Sequence, residues 1–174
     1  MNRLFIFVLL LLGLSLPSVF AQSVSNAQNV SVHVPSFLDL AASSNNINLD
    51  FQANQAGSET NAMTVTYTVS SNSMSQGDGA PGIIASLDNA FEGIDFKASF
   101  GTFSKAGGNA ELVAASQGFV TLGDTPAVLA TKANSSGDGK VLRGQFPITY
   151  QAFAKSQLAA GDYSRQLMLT LTDI

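Results

Sequence analysis

An all-β sandwich of the immunoglobulin-like general type is the fold class this sequence predicts, and three observations carry it. Apolar residues recur at every second position over long stretches, which places alternate side chains on opposite faces of a strand. The stretches are separated by clusters of Gly, Asn, Asp and Ser, the residues that turn a chain. No apolar stripe of period 3.6 marks a helix. Many short strands divided by such turns, without a repeat or a linker, fit one two-layered domain.

The strands follow in order. Ile47 to Phe51 is a short candidate. Met63, Val65, Tyr67 and Val69 alternate with Thr64, Thr66 and Thr68. Ile94, Phe96, Ala98 and Phe100 alternate with Asp95, Lys97 and Ser99. Phe119 to Leu122 and Ala127 to Thr131 are short strands. Phe146, Ile148, Tyr150 and Ala152 form a further face, in which Pro147 predicts an edge position or a bulge because it lacks an N–H. The last strand places Tyr163, Leu167, Leu169 and Leu171 against Ser164, Gln166, Met168, Thr170 and Thr172. Gln76–Gly82 and Asn134–Gly139 are expected as turns. Helical turns are expected only at Ala110–Ser116 and Lys155–Ala160, each too short to stand alone.

The N-terminus is expected to be a leader. Arg3 precedes an apolar run from Leu4 to Leu16, Pro17 ends the run, and Val19-Phe20-Ala21 places short residues around a cleavage point after Ala21. The run is too short for a comfortable membrane span. The expected division is a signal peptide at 1–21, an N-terminal extension at 22–35 and a single β-sandwich domain at 36–174. The protein is thereby expected to be secreted, with no membrane insertion of the mature chain. Cleavage removes one of eight basic residues and leaves twelve acidic ones, so the net charge moves from −4 to −5. No Lys or Arg stands between Gln22 and Phe96. Nucleic acid is not an expected partner, because it requires clustered positive charge. There is no cysteine, so stability must come from packing, backbone pairing or a neighbouring subunit.

Catalytic chemistry finds little footing, and no enzyme, metal or cofactor is expected. His33 is the only histidine and lies among alternating valines without a carboxylate neighbour, whereas a triad or zinc site requires several partners. Asp78 and Asp138 sit in Gly-Asp-Gly loops that lack the further oxygen ligands of a calcium site. Asp88, Glu92 and Asp95 lie closer together and read as solvated turn charges. Asn29-Val30-Ser31 and Asn134-Ser135-Ser136 match the glycosylation sequon, a short pattern of low specificity.

The two ends carry more information. The mature chain begins with an uncharged alternating segment containing Val24, Val30, Val32 and Val34, closed by Pro35 and followed by Phe37-Leu38-Asp39-Leu40. The final strand runs almost to the last residue, so its edge is expected to be left open, and an open apolar edge is a template for another strand. Asn29-Val30-Ser31-Val32-His33-Val34-Pro35 with Asp39-Leu40 resembles the donor strand and first strand of chaperone–usher pilins, in particular the cysteine-free colonisation-factor (alpha) class. Val65-Thr66-Tyr67-Thr68-Val69-Ser70-Ser71-Asn72 and Gly161-Asp162-Tyr163-Ser164 with the strand that follows are similar to that class as well.

The resemblance implies an incomplete immunoglobulin-like sandwich completed by donor-strand exchange, in a subunit of a cell-adhesion fimbrium. Val24, Val30, Val32 and Val34 would be the inserted side chains. Tyr163, Leu167, Leu169 and Leu171 would line the acceptor groove, and the Ile174 carboxylate would anchor the subunit to a chaperone. The implied partners are copies of the chain itself, a periplasmic chaperone and an outer-membrane usher. Asn26 and Gln28 depart from the pattern at in-register positions, which bears on the length of the insertion. The alternative is a self-contained secreted sandwich acting as a coat, matrix or ligand-binding module. Absence of Trp lowers its sugar-binding version.

Overall fold

The period-two pattern folds as expected into strands, and the structure, a computed structural model, describes residues 29–74, 77–133 and 141–172. The expected leader and most of the extension therefore lie outside the described residues. Ten strands follow one another: β1 (Leu38–Ala42), β2 (Met63–Ser71), β3 (Pro81–Leu87), β4 (Ile94–Phe100), β5 (Ser104–Gly108), β6 (Glu111–Ala114), β7 (Val120–Leu122), β8 (Ala127–Ala133), β9 (Leu142–Ala154) and β10 (Leu167–Leu171). There is no helix among the described residues. One sheet has the order β1-β2-β9-β4-β7, with β5 also paired to β9; the other has the order β10-β3-β8-β6. All pairings are antiparallel. The molecule is an all-β sandwich.

The core follows from the alternation. Val65, Tyr67 and Val69 of β2, Ile94, Phe96, Ala98 and Phe100 of β4, and Phe146, Ile148, Tyr150 and Ala152 of β9 are all buried. Their threonine, lysine and glutamine neighbours face outward. The aromatic rings pack against one another: Phe100 lies 4.8 Å from Phe146, Tyr67 5.6 Å from Phe146, and Phe96 5.7 Å from Tyr150. Such offset pairs add about 0.5–1.5 kcal/mol each beyond the burial itself. The hydroxyls of Tyr67 and Tyr150 meet at 2.8 Å, so neither polar tip is left alone in the core. Burial pushes both phenols above the ordinary tyrosine range.

Several expectations are corrected. Ala110–Ser116 contains strand β6 rather than a helical turn, because Glu111–Ala114 pairs with Ala133–Ala130 on β8. Lys155–Ala160 makes bends, with Leu158 tucked into the core. Ile47–Phe51 forms no ladder: a single bridge, Phe51 to Thr60, is all that pairs there. Pro147 is neither at an edge nor at a bulge. It stands in central strand β9 where the neighbour changes from β4, ending at Phe100, to β5, starting at Ser104, and its carbonyl accepts the Gly101 N–H at 2.8 Å. The final strand begins at Leu167, not at Tyr163.

The last correction has a visible cause. Asp88 accepts the Gln166 N–H on its carboxylate at 3.0 Å and donates its own N–H to the Gln166 carbonyl at 2.9 Å. The Arg165 guanidinium lies 5.3 Å from the centre of the Phe91 ring and donates to the Ser164 carbonyl at 2.8 Å. These contacts hold Tyr163–Gln166 in an irregular path just before β10.

Residues Val34–Ile174 cluster as one compact unit. Within it, Asn72 receives the Phe37 N–H on its side-chain oxygen at 2.8 Å and donates its amide to the Pro35 carbonyl at 2.8 Å. The chain is thus fastened where it enters β1, at the Leu38 end.

Candidate functional site

β1 closes one side of its sheet and β10 one side of the other, and among the described residues each pairs with a single neighbour. Between these two edges the sandwich opens into a cleft of about 1380 Å³. One wall is the loop after β1, running from Ser44 to Asn54; the other is Leu158 to Leu169. The floor is the core itself, with Tyr67, Leu87, Ile94 and Phe96 reaching the cleft although each is more than nine-tenths buried. Of β1 only Ala42 lines the cleft, and of β10 only Leu167, Met168 and Leu169.

The acceptor residues expected from sequence divide. Tyr163, Leu167 and Leu169 line the cleft. Leu171 does not; it is buried in the core beside Ile83, with which its backbone pairs. Tyr163 is placed on irregular chain, 44% exposed, with its hydroxyl donating to the Ala159 carbonyl at 2.9 Å. Among the expected donor valines, Val30, Val32 and Val34 are exposed at 83%, 82% and 71%. Val24 and Ile174 lie outside the described residues. Exposure on this scale is unusual for three valines in alternate positions, and burying them elsewhere is favourable.

Sequence reasoning missed one wall and much of the floor. Ile47, Leu49 and Phe51 are half-buried and pack on the core with the alternation of a strand, but no neighbour offers them a ladder. Their period-two signal marks a half-buried extended chain, which pairs only through the Phe51–Thr60 bridge. Phe91 gave no signal, since it stands outside any alternating run.

Two of the three clustered carboxylates, Asp88 and Asp95, are engaged in structure. Asp95 forms an ion pair with Lys155 at 3.3 Å, and Asp88 caps the Asn89 and Gln166 amides. Asp50, Asp88 and Asp162 line the cleft together with one cation, Arg165. No group of three or more His, Cys, Asp or Glu suited to a metal ion occurs among the described residues. Asp138 lies outside them.

The arrangement can accept an extended segment. A free strand edge offers backbone donors and acceptors, and an apolar trough beside it takes alternate side chains. Comparison of the chain with family models, with curated proteins and with solved structures finds no match.

Proposed function

We propose that the chain is a structural subunit of an extracellular fimbria-like fibre, polymerising by insertion of its N-terminal strand into the sandwich of the next subunit. The observation that carries this reading is the open cleft between β1 and β10, floored by core side chains and lying beside a strand edge that is unpaired among the described residues. In this reading the sandwich is of the immunoglobulin-like type and lacks one strand. Val24, Val30, Val32 and Val34 fill the gap in a second copy, against Leu167 and Leu169, and the Ile174 carboxylate is the handle for a periplasmic chaperone that delivers the subunit to an outer-membrane usher. The leader at 1–21 directs export. Exposed, uncharged and alternating, the segment around Val30–Val34 has the composition that a strand-accepting trough selects.

The energetics agree. Each inserted valine contributes about 1.5 kcal/mol on full burial, and the backbone ladder adds to this. The test is to express the full-length gene with Gln22–Pro35 deleted, in cells that supply chaperone and usher. Wild type is expected to give surface fibres by electron microscopy and a heat-resistant ladder on an unboiled gel; the deletion is expected to be exported and to give neither. Fibres from the deletion variant, or a wild type that stays monomeric with its chaperone present, would favour the self-contained sandwich instead.

A further inference from the structure

Resting on this reading, we propose that Asn72 is a positioning residue for assembly: by holding Pro35 and Phe37 in line with β1, it keeps the valine segment out of the cleft of its own copy and leaves it to a second copy. The ends of the strands set the problem. Leu38 pairs with Ser71, and Ser71 and Gly108 both pair with Leu142. From Gly108 the chain crosses to the other sheet, where Glu111 pairs with Ala133 on the strand whose Thr131 meets Pro81. Leu171 pairs with Ile83, beside that start of β3. Leu38 and Leu171 thus stand at one end of the sandwich. The cleft-lining residues Ala42, Leu87, Ile94 and Leu167 belong to the other end.

Traced backwards from Leu38, the chain therefore heads away from the cleft of its own copy unless it reverses within residues 34–37. The structure shows no turn or bend there, and Asn72 supplies the reason. Its backbone N–H reaches the Phe37 carbonyl at 3.3 Å, its side-chain oxygen accepts the Phe37 N–H at 2.8 Å, and its side-chain amide donates to the Pro35 carbonyl at 2.8 Å. One residue thereby prolongs the β1–β2 ladder past its last pair. Asparagine suits the task because its amide carries a donor and an acceptor together; an ionised aspartate could take only the Phe37 N–H. A hairpin returning the segment to its own cleft needs residues 35–37 for its turn, and a turn there gives up the two side-chain bonds.

The consequence is a choice between two products. Insertion within one copy competes for the same cleft as insertion between copies, and being intramolecular it does not wait for a second molecule. Bonds made only by the in-line conformation shift the population away from self-insertion. Losing both side-chain bonds is expected to raise the self-inserted fraction about ten-fold.

The experiment places Val32→Cys and Leu169→Cys in one full-length chain, expressed with chaperone and usher under mild oxidation. It is run with Asn72 intact, as Asn72→Ala and as Asn72→Asp. On a non-reducing gel, links between copies give a ladder, whereas a link within one copy gives a monomer whose thiols no longer take up an alkylating reagent. With Asn72 intact the ladder is expected to dominate. Asn72→Ala is expected to carry about ten-fold more self-linked monomer at the expense of the ladder, and Asn72→Asp, which keeps one of the two bonds, to fall between. A merely structural loss would lower both products together. Asn72→Ala with the same ratio of products as its parent, or a parent that is chiefly self-linked monomer, would overturn the proposal while leaving the cleft as a strand acceptor. Where Asn72→Ala is not recovered, Asn72→Asp decides by the same ratio. A parent that gives neither product would overturn strand insertion itself.

Discussion

Tyr67 and Tyr150 show how a single contact ties the two central strands of the larger sheet together. Their hydroxyls pair inside the core, so removing one leaves the other buried without its partner, at a cost of about 1–3 kcal/mol. Tyr150→Phe is expected to lower the unfolding free energy by that amount, read from the urea midpoint at unchanged slope. The double variant Tyr67→Phe/Tyr150→Phe should cost less than the two single changes added together, which a double-mutant cycle reads. The same pair makes stability depend on pH in the alkaline range. Burial raises both phenols above the ordinary value near 10. The unfolded chain releases its protons first, so the stabilisation is complete below about pH 10 and is lost as pH climbs beyond it. Urea unfolding from pH 9 to pH 11.5 should show this fall, and the double phenylalanine variant should show a shallower one. The inward direction of both rings was legible from the alternation around them. Their contact was not, because it joins positions 83 apart in sequence.

At the scale of elements, what could be read was whatever obeyed a strict period of two. β2, β4 and β9 stand out in sequence because each buries one whole face against the second sheet. β3 did not, since the adjacent Ile83 and Ile84 break the alternation. The structure shows why: the register slips on either side of Ile83, and Ile83 is buried while Ile84 is only partly so. β5, Ser104–Gly108, has no apolar pattern and is a strand because β9 offers it a ladder. There the strands come close at Gly144, where an added Cβ would meet the Phe103 ring and the Ser104 carbonyl. Gly144→Ala is therefore expected to lose about 1–3 kcal/mol through overpacking, measured by chemical unfolding. A variant as stable as wild type would show that β5 can move aside. Ile47–Phe51 gives the complementary lesson. Its alternation reports a half-buried extended chain, and only a neighbour with free backbone groups turns such a chain into a strand.

For the molecule as a whole, the sandwich class and half of the candidate site were legible, and the reason is the same in both cases. Leu167 and Leu169 declare their inward face by alternation, and Val30, Val32 and Val34 alternate in the same way while lying exposed. The cleft itself was not legible, because it is made by a loop, Ser44–Asn54, and by Phe91, none of which announces what it lies beside. Nor could the sequence show that Tyr163 leaves the strand, since that depends on Asp88 holding Gln166 and on Arg165 reaching over to the Phe91 ring. The central claim is that the valine segment of one copy lies along β10 of another with its apolar face in the cleft. The absence of native cysteine makes this directly measurable by disulfide trapping between copies. One copy carries Val32→Cys; the other carries a cysteine in place of Leu167 or Leu169 in the cleft, or in place of Val113, which is 49% exposed on β6 at the far side of the same sheet. Coexpressed under mild oxidation, the pairs are read on a non-reducing gel. Disulfide-linked dimers with Leu167→Cys or Leu169→Cys and none with Val113→Cys are predicted; no linkage at either cleft position, or equal linkage at Val113→Cys, would contradict strand insertion.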